Sequence, residues 1–480
     1  MIQQCKLLYN RILQSNFIRQ VILLSGASVI AQAINIGMMP LLARLYTPAD
    51  FGVLSLFSSV VSLLATVSGF RYYLVLPLAR RKRYLQAIVC LSVILQVSFV
   101  LVLTILSVFF GKSLIATRFE VLYPYRYLIP ICVFAIGMYG MSVQWAISEK
   151  SFSLIARTKL TQTVSANIVK VAGAFFGAKP LGLLLGFVIG QSSGGVTLIR
   201  HLIRKSGKPR LDPVRIKRAA VSYRNMCLID TPGALFNMAG AYILPLVIAY
   251  FYTDEVVGYF SMAQNLLILP AVVIGDAIGQ VFSQKAAEAK YNGTLGLLTG
   301  RTFELLAKAG LFPVLICSLF APEIFTIAFG EQWRQAGYYA SIIAPWIAVS
   351  FIYSPMSRLF TTLMIQKTAL FFTSFYTITR IGSVAMFGDG DSLYAMFALS
   401  ATGTVMMLIG VALLMAKAGV SQILPRIIKV LIETLISLSP AMMFVISGSR
   451  SLIIGIAALS LSLFIYLFLL KKSYQVWANI

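Results

Sequence analysis

Charge is what this sequence has least of. Only 11% of its 480 residues are charged, against about a quarter in a soluble domain. Acids are the scarcer half, with 15 Asp and Glu against 40 Lys and Arg. Histidine occurs once, at His201, and the five cysteines (Cys5, Cys90, Cys132, Cys227 and Cys317) are scattered without a C-x-x-C pair. These shortages exclude an ordinary soluble globule, a disordered chain, a disulfide scaffold and a Cys/His metal site. A Gly-rich phosphate loop, HExxH, GxSxG and a paired-carboxylate motif are all missing, so an enzyme has no recognisable seat for its chemistry. Polar segments are short too. The longest, about 200–223, leaves no room for a soluble domain, and the longest outer loops, near 111–126 and 321–336, leave none for an external catalytic one.

What the sequence has in abundance is apolar surface: 59% hydrophobic residues and a mean hydropathy of +0.86. Apolar runs of about 20 residues, the length that crosses a bilayer core, recur from end to end. The pattern predicts an all-α, polytopic membrane protein of fourteen spans, near 18–42, 52–76, 84–110, 127–147, 158–178, 180–199, 224–250, 257–283, 301–320, 337–365, 368–388, 391–416, 427–447 and 451–470. In that frame 28 basic residues fall in one set of alternating segments and 7 in the other. The asymmetry assigns the richer set, and with it both termini, to the cytoplasmic side of an inner membrane. The net charge of +25 is then a topology signal and not a nucleic-acid footprint, so no nucleic acid is expected as a partner. The first span is read as retained.

The chain also echoes itself. Tyr46-Thr47-Pro48-Ala49-Asp50-Phe51-Gly52 and Tyr252-Thr253-Asp254-Glu255-Val256-Val257-Gly258 share the pattern Y-T-x-x-x-apolar-G, and Gly69 and Gly275 keep the same offset of 206. Pro40 and Pro245 precede the two motifs at nearly equal distance. This predicts two six-helix lobes related by an axis along the membrane normal and enclosing a central cleft. The lobes are 1–206 and 224–416, joined by a basic cytoplasmic linker at 207–223 and followed by two further spans within 417–480. Gly182, Gly186, Gly190 and Gly194, each four apart in the sixth span, predict close helix packing within the chain.

Ions inside a bilayer are costly and mark functional positions. Lys170 shares a helix face with Thr163 and Asn167; Arg380 shares one with Thr373, Tyr376 and Thr377. Arg71, Lys308 and Arg358 lie nearer the cytoplasmic ends of their spans. These five cations, with Gln32 and Asn35 on span 1 and Asn237 on span 7, are the candidate substrate-binding residues. Asp230, Asp276 and Glu304 are candidate ion-coupling carboxylates for a proton or sodium gradient, and no cofactor or metal is expected. The competing structural readings are a buried ion pair or a contact to backbone carbonyls for Lys170 and Arg380, snorkelling to the headgroups for Arg71, Lys308 and Arg358, and plain pairing of Asp230 or Asp276 with Arg71, Lys308 or another cation. More cations than anions in the walls favours an anionic cargo, and a phosphate or diphosphate fits because several basic side chains can share its oxygens.

Thr47-Pro48-Ala49-Asp50-Phe51-Gly52-Val53-Leu54-Ser55-Leu56 resembles the T-P-x-D-F-G-x-x-S-L stretch of bacterial oligosaccharide flippases. Gly69-Phe70-Arg71-Tyr72-Tyr73-Leu74-Val75-Leu76-Pro77 resembles their G-x-R-Y-E-L-A-x-x-L-P stretch, and Val257 to Ala263 with Ile278 to Phe282 is similar to the second-half signatures. The resemblance is to the Wzx-like polysaccharide biosynthesis proteins of the multidrug/oligosaccharidyl-lipid/polysaccharide exporter superfamily. It implies translocation of an undecaprenyl-diphosphate-linked oligosaccharide, such as an O-antigen or other surface polysaccharide unit. Membrane lipid and other polysaccharide assembly proteins are the further partners expected. It puts Arg71 at the family's motif arginine, a candidate contact to the lipid diphosphate. The family's glutamate after R-Y is Tyr73 here, so a coupling role for that acid does not carry over. The alternatives are a drug or organic-cation antiporter of the same superfamily, which would need acidic walls, an integral-membrane transferase or polymerase, and a non-transporting scaffold.

Overall fold

A computed structural model of the protein describes residues 16–79, 82–109, 119–207, 211–269, 275–388, 390–447 and 452–478; the side chains at 16–25, 82, 206, 276–277, 452–453 and 472–478 lie outside the description. Among the described residues there is no strand. The first part of the chain runs through α1 (Asn16–Leu45), α2 (Pro48–Ser68), α3 (Lys82–Phe109), α4 (Leu128–Ser148), α5 (Phe152–Phe175), α6 (Leu181–Ser192), α7 (Gly195–Ser206), α8 (Pro213–Ser222), α9 (Thr231–Phe251) and α10 (Asp254–Leu267). The rest comprises α11 (Asp276–Tyr291), α12 (Leu295–Leu319), α13 (Ala321–Phe329), α14 (Arg334–Met356), α15 (Leu359–Thr362), α16 (Gln366–Ala385), α17 (Ser392–Lys417), α18 (Ile423–Ile446) and α19 (Leu452–Ala478).

Eleven helical stretches among the described residues are long and apolar enough to cross a membrane. Three of the fourteen expected spans do not meet that mark. One, near 257–283, is divided between α10 and α11, with residues 270–274 outside the described part. The other two are α5 and α16. They fall short because their sequences hold Arg157, Lys159, Lys170 and Lys367, Arg380 among many Thr, Ser and Asn residues. The helices least suited to lipid are thus the two on which sequence places a polar stripe ending in a cation.

Contacts divide the chain into two compact units, Met1–Val257 and Gly258–Ile480. The sequence reading divides the lobes at the linker; the contact boundary falls later, because α9 packs along α2.

In the first unit α2 starts on a capping box. The Thr47 hydroxyl accepts from the Asp50 N–H, and the Asp50 carboxylate accepts from the Thr47 N–H at 2.8 Å. Pro48 at the first helical position lacks only an N–H that would have had no intrahelical partner. Gly52 faces the Asp254 carbonyl so closely that a Cβ would overlap it. The two sequence repeats therefore meet, backbone against glycine. In α5 and α6, Gly173 and Gly182 sit face to face, each leaving no space for the other's Cβ, and Gly186 lies under the stem of Lys170. Between apolar helices in lipid, such close approach replaces the missing hydrophobic drive, so the glycine stripe is spent on packing within the chain, as expected. Gly194, at φ +79, breaks the helix between α6 and α7.

In the second unit α14 is the core helix, with Ala340, Ile343 and Ala344 fully buried; α12 and α17 pack along it, and α18 lies on α12. The two extra spans are therefore joined to the second unit through α12.

Candidate functional site

Arg71 occupies a strained turn. α2 ends at Ser68, and the chain passes through Phe70 (φ 45) and Arg71 (φ 57) before a 3-10 helix at Tyr72–Leu78. Two consecutive non-glycine residues in the left-handed region cost about 1–3 kcal/mol each, so the surroundings must over-determine them. Part of that constraint is Asp230, whose Oδ2 accepts from Arg71 Nε at 2.6 Å. The side chains of the pair are 22% and 43% exposed, so it remains within reach of a ligand.

Asp230 is itself placed by an irregular backbone. Pro232, inside the first turn that follows, has no N–H and would clash with the carbonyl four residues back. The chain opens into a π turn at Met226–Asp230, with the Thr231 N–H and hydroxyl both reaching the Met226 carbonyl. Such turns frequently mark functional positions. Tyr73, where the resembling family carries glutamate, lies in the electrostatic field of both Arg71 and Asp230. The carboxylate beside Arg71 thus comes from span 7 and not from the neighbouring residue.

A polar seam runs between α1 and α5. Lys159 Nζ donates to Ser28 Oγ at 2.8 Å, Asn167 Nδ2 donates to Asn35 Oδ1 at 3.0 Å, and Tyr46 donates to the Lys170 carbonyl at 2.5 Å. Asn167 is buried; Asn35 is exposed and Gln32 partly so. The span 1 face of Ser28, Gln32 and Asn35 and the span 5 face of Thr163, Asn167 and Lys170, read separately in the sequence, are therefore one feature. Lys170 is half-buried, its stem lying over Gly186 and Ala166. Asn237 is exposed on α9, seven residues after Asp230.

The second unit holds its cations differently. Arg380 is 4% exposed, its guanidinium 4.1 Å from the Trp346 ring and 4.8 Å from the Tyr376 ring, while Trp346 Nε1 donates to the Tyr376 hydroxyl at 2.9 Å. Lys308 pairs with Glu433 at 2.7 Å, and Glu304 with Arg426 at 2.6 Å. Both bonds tie α12 to α18, and a cavity of about 20 Å³, room for one water, lies beside Lys308 and Tyr466. Arg358 lies with its guanidinium against Gly279, where a Cβ would meet Nε at 2.6 Å. Asp276 opens α11, but its side chain is outside the described residues. Glu304 and Lys308 therefore already hold partners, whereas Arg71 with Asp230 and the α1–α5 seam keep exposed polar groups. Among the described residues no group of three His, Cys, Asp or Glu side chains is placed to hold a metal ion.

Trp346 and Arg426 escape a sequence reading of function. Trp346 reads as core and Arg426 as a loop cation; only a spatial neighbour distinguishes each.

Residues 41–337 match the model of a family described as polysaccharide biosynthesis protein. No curated protein matches the chain by sequence. Among solved structures, the fold is similar to the lipid II flippase MurJ in an inward closed conformation, with TM-score 0.74 and 16% identity over 95% of this chain and 100% of that one. It is also similar to an inward-facing multidrug resistance MATE family transporter of the MOP superfamily, with TM-score 0.56 and 15% identity over 82% and 94% of the two chains. A Vibrio cholerae MATE transporter gives TM-score 0.54 and 12% identity over 84% and 95%. With a family match across more than half its length and the fold of MOP transporters, this chain belongs to the polysaccharide biosynthesis protein family.

Proposed function

We propose that the protein is a flippase, not an enzyme, that moves an undecaprenyl-diphosphate-linked oligosaccharide across a bacterial inner membrane by alternating access, with both termini in the cytoplasm. The observation that carries this reading is the Arg71–Asp230 pair. It joins a strained, motif-borne arginine to a carboxylate that can release it to a diphosphate. Charge-assisted bonds from arginine to phosphate oxygens are stronger than neutral ones and can be bidentate. The α1–α5 seam supplies neutral hydrogen-bonding groups suited to sugar hydroxyls. Membership of a polysaccharide biosynthesis family and a fold shared with a lipid II flippase support the same class of cargo. Return of the empty carrier is coupled to a proton or sodium gradient or to the membrane potential, which is worth about 2.3 kcal/mol per charge and 100 mV.

Deletion of the gene, with surface polysaccharide and lipid-linked precursor measured together, tests the reading. Lost polysaccharide with precursor held on the cytoplasmic leaflet is expected. Normal polysaccharide without that build-up would refute it. The fold likeness to MATE transporters favours a second reading, organic-cation antiport. Saturable binding of a lipophilic cation by the purified protein would support that reading instead.

A further inference from the structure

The helix α7 at the end of the first lobe and the linker helix α8 carry two apolar faces where one would suffice for folding. Their inner face is spent: Leu198, Leu202 and Ala219 are fully buried in a core shared with Tyr72, Leu76 and Ile88. The outer face of α8 holds a second apolar ridge. Val214 and Val221, seven apart and so on one side of the helix, are 68% and 59% exposed, with Leu211 just before them at 74%. Lys217 and Arg218 flank that ridge and are exposed, as are Arg200 and Arg204 on α7. Among the described residues these four cations form no ion pair, whereas Arg215 is taken by Asp212 and Lys205 by Glu149. An apolar ridge bordered by cations is the signature of a helix lying in the headgroup layer of an anionic membrane.

We infer that α7 and α8 form a docking surface for anionic phospholipid headgroups of the cytoplasmic leaflet, and that lipid seated there braces the turn that presents Arg71. The occupant follows from charge complementarity and position. α8 sits between two expected spans, on the side to which the basic asymmetry assigns the linker, where bilayer lipid is the nearest source of negative charge and acyl chain. The link to Arg71 is direct. Tyr72, the next residue, donates its hydroxyl to the Ala220 carbonyl of α8 at 3.2 Å, and Tyr72, Val75 and Leu76 pack in the same cluster as Ala219. This proposal rests on the cytoplasmic placement of the linker in the proposed topology, but not on the identity of the cargo.

The test is hydrogen exchange on the full-length protein reconstituted in phosphatidylcholine vesicles, with or without phosphatidylglycerol. Phosphatidylglycerol should slow exchange across 213–222 by about fivefold or more, the worth of one basic residue at an anionic surface, and slow 70–78 in step. Lys217→Glu with Arg218→Glu, both on the exposed face, should abolish the effect while leaving α14 exchange unchanged. Equal exchange in both vesicles, or full protection of the double variant, overturns the proposal. Protection by undecaprenyl diphosphate in phosphatidylcholine but not by phosphatidylglycerol overturns it too, and assigns the surface to the cargo. Because exchange is read without transport, a protein that responds to phosphatidylglycerol yet fails to restore polysaccharide export refutes the flippase reading alone.

Discussion

Arg71 and Asp230 stand 159 residues apart in sequence and share a hydrogen bond of 2.6 Å. One lies in a left-handed turn after span 2, the other at the end of a π turn entering span 7. Neither backbone feature is favourable in isolation, and the pair joins the two.

If this pair serves the cargo, Arg71→Ala and Asp230→Ala should each lower export while leaving insertion intact. The coupling in a double-mutant cycle of stability should be small, about 1 kcal/mol, because both side chains are partly exposed. The charge swap Arg71→Asp with Asp230→Arg should recover stability but not export. Complementation assays beside thermal unfolding in detergent separate the two effects; recovery of export by the swap would make the pair purely structural.

Lys308 is expected to act through Glu433. Glu433→Gln removes the carboxylate that faces mostly buried Lys308 between α12 and α18 and should cost about 3–5 kcal/mol, whereas Lys308→Met with Glu433→Leu should come close to neutral. Thermal unfolding measures both. Full export by the double variant would remove Lys308 from the cargo path.

Arg380 rests between aromatic faces in the second unit. Trp346→Leu should weaken its hold by about 0.5–2 kcal/mol for the lost cation–π contact, beyond the loss of packing. Arg380→Lys should keep the charge yet lose the flat stacking geometry, giving an intermediate unfolding temperature. A Lys variant as stable as the parent would show that the planar guanidinium is not required.

Gly173→Ala should destabilise by about 1–3 kcal/mol, since the new methyl meets the Gly182 backbone. Gly233→Ala, where nothing lies within 4 Å, is the control and should be near neutral or better. Cross-linking between cysteines placed on α5 and α6 would report the widened spacing; unchanged spacing and stability would contradict the close contact.

Much of the fold is legible in the chain because the bilayer is a severe solvent. Backbone groups must be satisfied within each segment, so apolar runs become helices and basic residues sort the loops. The polar faces of α1 and α5 were visible as periodic residues, as was the close packing promised by Gly182 and Gly186. Their partners were not visible: nothing local in Ser28 or Asn35 states that Lys159 and Asn167 will face them.

By itself, then, the sequence determined an all-helical membrane chain with an internal echo, a basic linker and a short list of intramembrane ions, since length, hydropathy and charge are properties read along one dimension. Tertiary structure decided which ions are committed to each other, which rest on aromatic rings and which stay within reach of a ligand. Pairing energies depend on distances of a few ångströms between residues more than a hundred positions apart, and only packed helices set those distances.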